Sequence, residues 1–190
     1  MARPRMFDED RAVEAAMRAF WDAGYEATST QDLCEATGLG RSSIYNTFKS
    51  KHDLFEKALR RYMSDRTAPI IALLEGPLPV REKIRALLWR VMDTEAGDPI
   101  GCLVVNATVE LGPRDPEIAD QLARNLDRRK DALVAALTSA RRDGEIGADR
   151  DPEALAQFVI AVIGGMQVAA RGGATRATLE QIATTALAAL

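Results

Sequence analysis

Only two cysteines, Cys34 and Cys102, and a single histidine, His52, occur in 190 residues. The cysteines stand far apart and form no Cys-x-x-Cys pair, which argues against a structural disulfide and a zinc site, so neither metal nor cofactor is expected. Neither a Gly-x-Ser-x-Gly motif nor a second histidine is present to frame a nucleophile and its base, so the chain does not read as an enzyme. The opening MARPRMFDEDRAVEAAM has no apolar stretch followed by a small-residue cleavage site. It speaks for the cytoplasm rather than secretion. The longest uncharged run, Ala154 to Ala170, carries Gln157, Gly164, Gly165 and Gln167 and follows a proline and two acids. A buried or interface helix is expected there, not a membrane span.

Positive charge is not in excess either. The formal net charge is -3 and the pI near 5.3, so any hold on nucleic acid must come from a local basic face. Residues 37 to 66 supply one, with seven Lys or Arg against three Asp or Glu. The chain from Thr67 onward is mildly acidic.

What is present is apolar periodicity. Hydrophobic residues make up 47% of the chain, enough for a real core. Breakers at Gly76-Pro77, Gly97-Asp98-Pro99, Gly112-Pro113, Gly144 to Pro152 and Arg171-Gly172-Gly173 divide it into segments. Nearly all of them repeat with helical period. Val13, Met17 and Phe20 share one side of the first, and Ile118, Leu122, Leu126, Leu133 and Leu137 recur at spacings of four and seven. No alternating run reads as a strand, although CLVVNATV at 102 to 109 is β-branched. The expected fold is all-α, with about nine helices, and Pro69 is expected to kink the helix that holds it.

The stretch TGLGRSSIYNTFK at 37 to 49 admits two chemistries. A phosphate-binding glycine loop would need a strand before it and a third glycine where Ser43 stands, and both are missing. A helix-turn-helix accounts for more residues. Ser29 with Asp32 makes a capping pair, Leu33 and Ala36 face inward, Gly38 stops the helix, and Leu39 plugs the turn. Ile44 and Phe48 point back into the same core. Arg41, Ser42, Tyr45, Asn46 and Lys49 are left on the other side, as a helix entering a major groove requires. Arg41 suits a guanine edge or a phosphate, Asn46 an adenine edge, and Tyr45 a phosphate or a thymine methyl. Thr30, Ser42 and Ser43 lie near helix starts that favour an anion. Lys51 follows Ser50, a cap with Asp53 three residues on, and belongs beside the DNA backbone.

The run GYEATSTQDLCEATGLGRSSIYNTFKSKHDLFEKAL resembles the N-terminal domain of TetR-family transcriptional regulators over about residues 7 to 59. Where the family often has His after the tyrosine, this chain has Asn46. The resemblance implies a three-helix helix-turn-helix head, residues 1–50, joined to an effector-binding and dimerisation body, residues 51–190. It implies a homodimer on a palindromic operator, most often as a repressor released by a small-molecule effector. A helical carrier of small molecules without DNA affinity is the alternative.

In the body, the resemblance suggests that two helices rich in small residues form a four-helix interface between subunits, with Phe158, Gly164, Gly165, Ala169, Leu179, Ile182 and Ala186 as candidates; ordinary core packing is the other account. Trp89, Met92, Cys102, Asn106, Phe158 and Met166 are candidate lining residues of an effector pocket, each of which a core would also explain. The segment around Gly101-Cys102-Leu103-Val104 and Asn106 resembles that of the N-ethylmaleimide repressor subgroup, where a cysteine senses electrophiles. Cys102 is expected in the first turn of a helix, as a reactive thiol or as a small packing residue.

Overall fold

The computed structural model describes residues 3–93 and 97–190, with side chains from Glu9 onward. The described residues form nine α-helices and no strand: α1 (Arg3–Ala23), α2 (Thr30–Thr37), α3 (Arg41–Phe48), α4 (Lys51–Glu75), α5 (Val80–Trp89), α6 (Leu103–Glu110), α7 (Pro116–Arg142), α8 (Pro152–Arg171) and α9 (Arg176–Ala188). The β-branched stretch at 102–109 becomes α6, because its Leu103 and Ala107, one turn apart and 1% exposed each, are drawn into a core. Tertiary burial overrides the local preference there. Pro69 is inside α4.

The chain folds as two compact units, and each is discontinuous in sequence. The first comprises Met1–Asp65 with Cys102–Leu122, the second Arg66–Gly101 with Ala123–Leu190. A cut between residues 50 and 51 falls inside the first unit. Its core is centred on Phe20, Leu33, Ile44, Phe48, Leu54, Phe55 and Leu59, closed by Leu103, Leu111 and Ile118 from the later segment. Phe55 meets the ring of Phe20 edge-on at 5.0 Å between centroids. Truncating either ring to alanine is expected to cost about 3–5 kcal/mol.

The second unit is built on Ile84, Leu88, Leu133, Leu137, Ala156, Val159, Met166 and Ala183. Of the apolar positions read along α7, Leu126 departs: it is 45% exposed. The neighbouring Asn125 is buried instead, where its amide oxygen accepts a hydrogen bond from the Thr67 hydroxyl at 2.7 Å.

Candidate nucleic-acid interface

Local chemistry sets α2 and α3. Ser29 caps α2 reciprocally: its hydroxyl accepts the Asp32 N–H at 3.1 Å and its own N–H donates to the Asp32 carboxylate at 2.7 Å. The Ser29 hydroxyl, with the Ser29 N–H, holds the Asp32 carboxyl below the usual range. Gly38 ends α2 at φ +69°, a left-handed conformation that costs glycine little. Leu33 is buried, but Ala36, expected inward, is exposed; Cys34, half-buried, packs against the core.

Beyond the turn, Gly40 stands at the N-cap of α3, and with no side chain it cannot cap the first N–H groups of that helix. Ile44 and Phe48 are buried on one side, 1% and 0% exposed. Arg41, Ser42, Ser43, Tyr45, Asn46 and Lys49 are all exposed. Tyr45 is held in place: its hydroxyl lies 3.2 Å from that of Thr30, and the Arg41 guanidinium stands 5.8 Å from its ring centre. The Thr30 hydrogen bond, helped by Arg41, lowers the phenol pKa.

Lys49 links α3 to α4 at φ 54°, ψ -49°, the only non-glycine among the described residues with positive φ. The Ser50 N–H bonds back to the Phe48 carbonyl across it, a γ-turn, which is strained for a residue with a Cβ. Ser50 then caps α4 by accepting the Asp53 N–H at 3.0 Å. Lys51, in the first turn, rests its ammonium 4.4 Å from the Tyr25 ring centre. All eight candidate DNA-contacting residues thus belong to the first unit, on α3 or flanking it.

Sequence reading missed what braces this unit. Glu110, the last residue of α6, accepts the backbone N–H groups of Tyr25 and Glu26 at 2.9 and 3.2 Å. Gly24 beside them has φ +88°, and a Cβ there would meet both Glu110 oxygens at 3.0 Å. Asp115 receives the N–H groups of Glu117 and Ile118 at 3.1 Å each and pairs with His52 Nε2 at 2.6 Å. Burial opposes ionisation of Asp115, yet those N–H groups and His52 together hold its carboxyl below the usual range. No local spacing advertises partners 85 and 63 positions apart.

The six candidate effector residues divide between the units. Cys102 and Asn106 belong to the first, where the Asn106 amide donates to the Trp21 carbonyl at 3.4 Å. Cys102 is not in the first turn of α6 but at its N-cap, extended at φ -139°, half-buried against the core; the helix starts one residue later. Trp89, Met92, Phe158 and Met166 belong to the second unit. Met166 is wholly buried, and Trp89 carries the Arg85 guanidinium 5.0 Å from its ring centre.

Among the candidate interface residues, Phe158, Ile182 and Ala186 line a groove between α8 and α9 with Val162, Thr178, Gln181 and Thr185. Gly165 is exposed and Gly164 and Ala169 half-buried, while Leu179, 5% exposed, is occupied within its own unit. Helix α8 is long and apolar enough to cross a membrane, and only 22% of its apolar window is buried.

A family model described as "Bacterial regulatory proteins, tetR family" matches residues 12–58, and one described as "Tetracyclin repressor-like, C-terminal domain" matches residues 81–186. The chain is 37% identical over 192 residues to the HTH-type transcriptional repressor ComR of Escherichia coli, covering 97% of this chain and 90% of that one. A cysteine-substituted form of the TetR-family regulator CifR, solved with 26-base-pair operator DNA, is 33% identical and superposes with a TM-score of 0.86 over 99% of both chains. Reduced Escherichia coli NemR, at 18% identity and a TM-score of 0.80 over 94% of this chain and 95% of that one, shares the fold.

Proposed function

The chain belongs to the TetR family of bacterial transcriptional regulators, and on that premise we propose that it is a cytoplasmic repressor. It binds a palindromic operator as a homodimer and lets go when a small-molecule effector binds or when Cys102 is modified. The observation that carries the reading is the two-sidedness of α3, with Ile44 and Phe48 buried beneath and Arg41, Ser42, Tyr45 and Asn46 exposed above. A helix of that kind fits a major groove about 12 Å wide. Arg41 and Asn46 read base edges, while Tyr45, Thr30, Ser42, Ser43, Lys49 and Lys51 hold phosphates.

Dimerisation is supported by α8, which leaves Phe158 and Val168 39% and 57% exposed. A second copy of α8 and α9 covers that surface. For the trigger, Trp89, Met92, Phe158 and Met166 of the second unit are the candidate contacts of a reversible ligand. Cys102 offers a covalent route. Bulk added to its thiol pushes on α6, whose far end holds the Tyr25 and Glu26 N–H groups through Glu110. CifR was solved on operator DNA in cysteine-substituted form, which supports testing thiols here.

Gel shifts on the DNA upstream of the chain's own gene test the head. A single retarded complex at a preferred site is expected, and absence of any preferred site sinks the reading in favour of the carrier. Maleimide treatment of Cys102→Ser and Cys34→Ser then tests the trigger. Release from Cys102→Ser as readily as from the parent leaves a pocket ligand as the trigger.

A further inference from the structure

We propose that His52, Glu56 and Glu117 bind one divalent transition-metal ion, tying the start of α4 to the start of α7 within the first unit. His52 and Glu56 are four residues apart on α4, so they stack on one face. Glu117 stands in the first turn of α7. One ligand atom from each of the three lies within 4.8 Å of the other two. Nitrogen and oxygen donors at about 2.0–2.2 Å from one ion stand at most about 4.4 Å apart, so small rotamer changes close the set.

The cluster is not a mere patch of acid. It contains the one imidazole of the chain, the donor that separates transition ions from Mg²⁺ and Ca²⁺, which favour all-oxygen sites. The Asp115 carboxylate grips that ring at Nε2 and is itself pinned by the α7 N–H groups, the arrangement that orients metal-bound histidines. Charge is also unbalanced. Glu56 Oε1 is engaged by Arg60 and by Gln121 Nε2, but the Glu117 carboxylate has no partner among the described residues. Three carboxylates therefore gather around one imidazole, with Arg60 bonded to Glu56 alone of them, and a doubly charged ion offsets the excess. Without a thiolate in the set, zinc, cobalt or nickel fits better than copper(I). The sequence, with its lone histidine and no Cys-x-x-Cys, argued against a metal; the donors meet only when α7 folds against α4.

The test is a titration of the full, chelator-stripped chain with cobalt(II), followed by visible absorption, then competition with zinc(II), in the absence of DNA. One ion per chain is expected, with d–d bands and no thiolate charge-transfer band. His52→Gln and Glu117→Gln should each weaken binding beyond the roughly 10–100-fold expected of Asp115→Asn, a second-shell change that retains an α7 cap. The Glu117 side chain is exposed and unbonded, so its variant keeps the parent fold by circular dichroism. Equal affinity in the parent and both ligand variants, no binding at millimolar cobalt, or a thiolate band pointing to Cys34 or Cys102 would each overturn the site. Because DNA is absent, the metal site and the operator reading fail separately.

Discussion

The carboxylate of Glu110 receives the backbone N–H of Tyr25 at 2.9 Å across 85 positions of sequence. One side chain at the end of α6 thereby caps the turn between α1 and α2. Glu110→Ala leaves two N–H groups without this acceptor and is expected to cost about 1–2 kcal/mol, with weaker operator binding. Glu110→Gln, which keeps one acceptor oxygen, should lie between parent and alanine variant. Urea denaturation and gel shifts measure both, and parent-like values for Glu110→Ala would remove the brace from the account.

On the outer side of α3, Arg41→Ala and Asn46→Ala should each erase about 1–3 kcal/mol of discrimination at one operator position. Lys51→Ala should instead weaken all sequences alike and reduce the slope of log affinity against log salt by about 1. Binding to a panel of operator variants at several salt concentrations separates the two behaviours. Were all three variants to bind like the parent, another surface would be the reader.

Lys49 combines a strained backbone with a charge. Lys49→Gly should raise stability by about 1 kcal/mol, since glycine tolerates the positive φ, while operator affinity falls through loss of a phosphate contact. Opposite signs in thermal melts and gel shifts are the expected signature. A variant less stable than the parent would show that the turn carries no strain.

Gly164→Leu probes the proposed subunit contact. Within one chain nothing lies within 4 Å of an added Cβ at this position, and leucine favours a helix interior by nearly 1 kcal/mol over glycine, roughly. Helical content should therefore hold while sedimentation reports monomers. A dimer with parent stability would place the interface elsewhere.

How far the sequence could be read depended on the span of each interaction. The Ser29 capping box, the Gly38 stop, the Ser50 cap and the burial of Ile44 and Phe48 were legible, because each is settled by residues within four positions. Ala36, read as inward, is exposed, since a two-turn helix has too few apolar positions to fix its rotation. Cys102 was misplaced by one residue, the ordinary uncertainty of a helix boundary. Glu110 and the His52–Asp115 pair were invisible, as their partners arrive from more than sixty residues away. The proposed pocket residues divide between two units because residue type marks a candidate wall without saying in which unit it lies.

A ribosome reads the first unit in two instalments. Phe20, Leu33, Phe48 and Phe55 emerge early, but Leu103, Leu111 and Ile118, which close their core, come only after the opening helices of the second unit. At about 5–20 residues per second the nascent DNA-binding unit stands unfinished for several seconds. A stalled chain of the first 75 residues should accordingly be cut by protease where one of 150 residues resists. The DNA-binding unit is thus completed only after residues 66–101 of the second unit have been made.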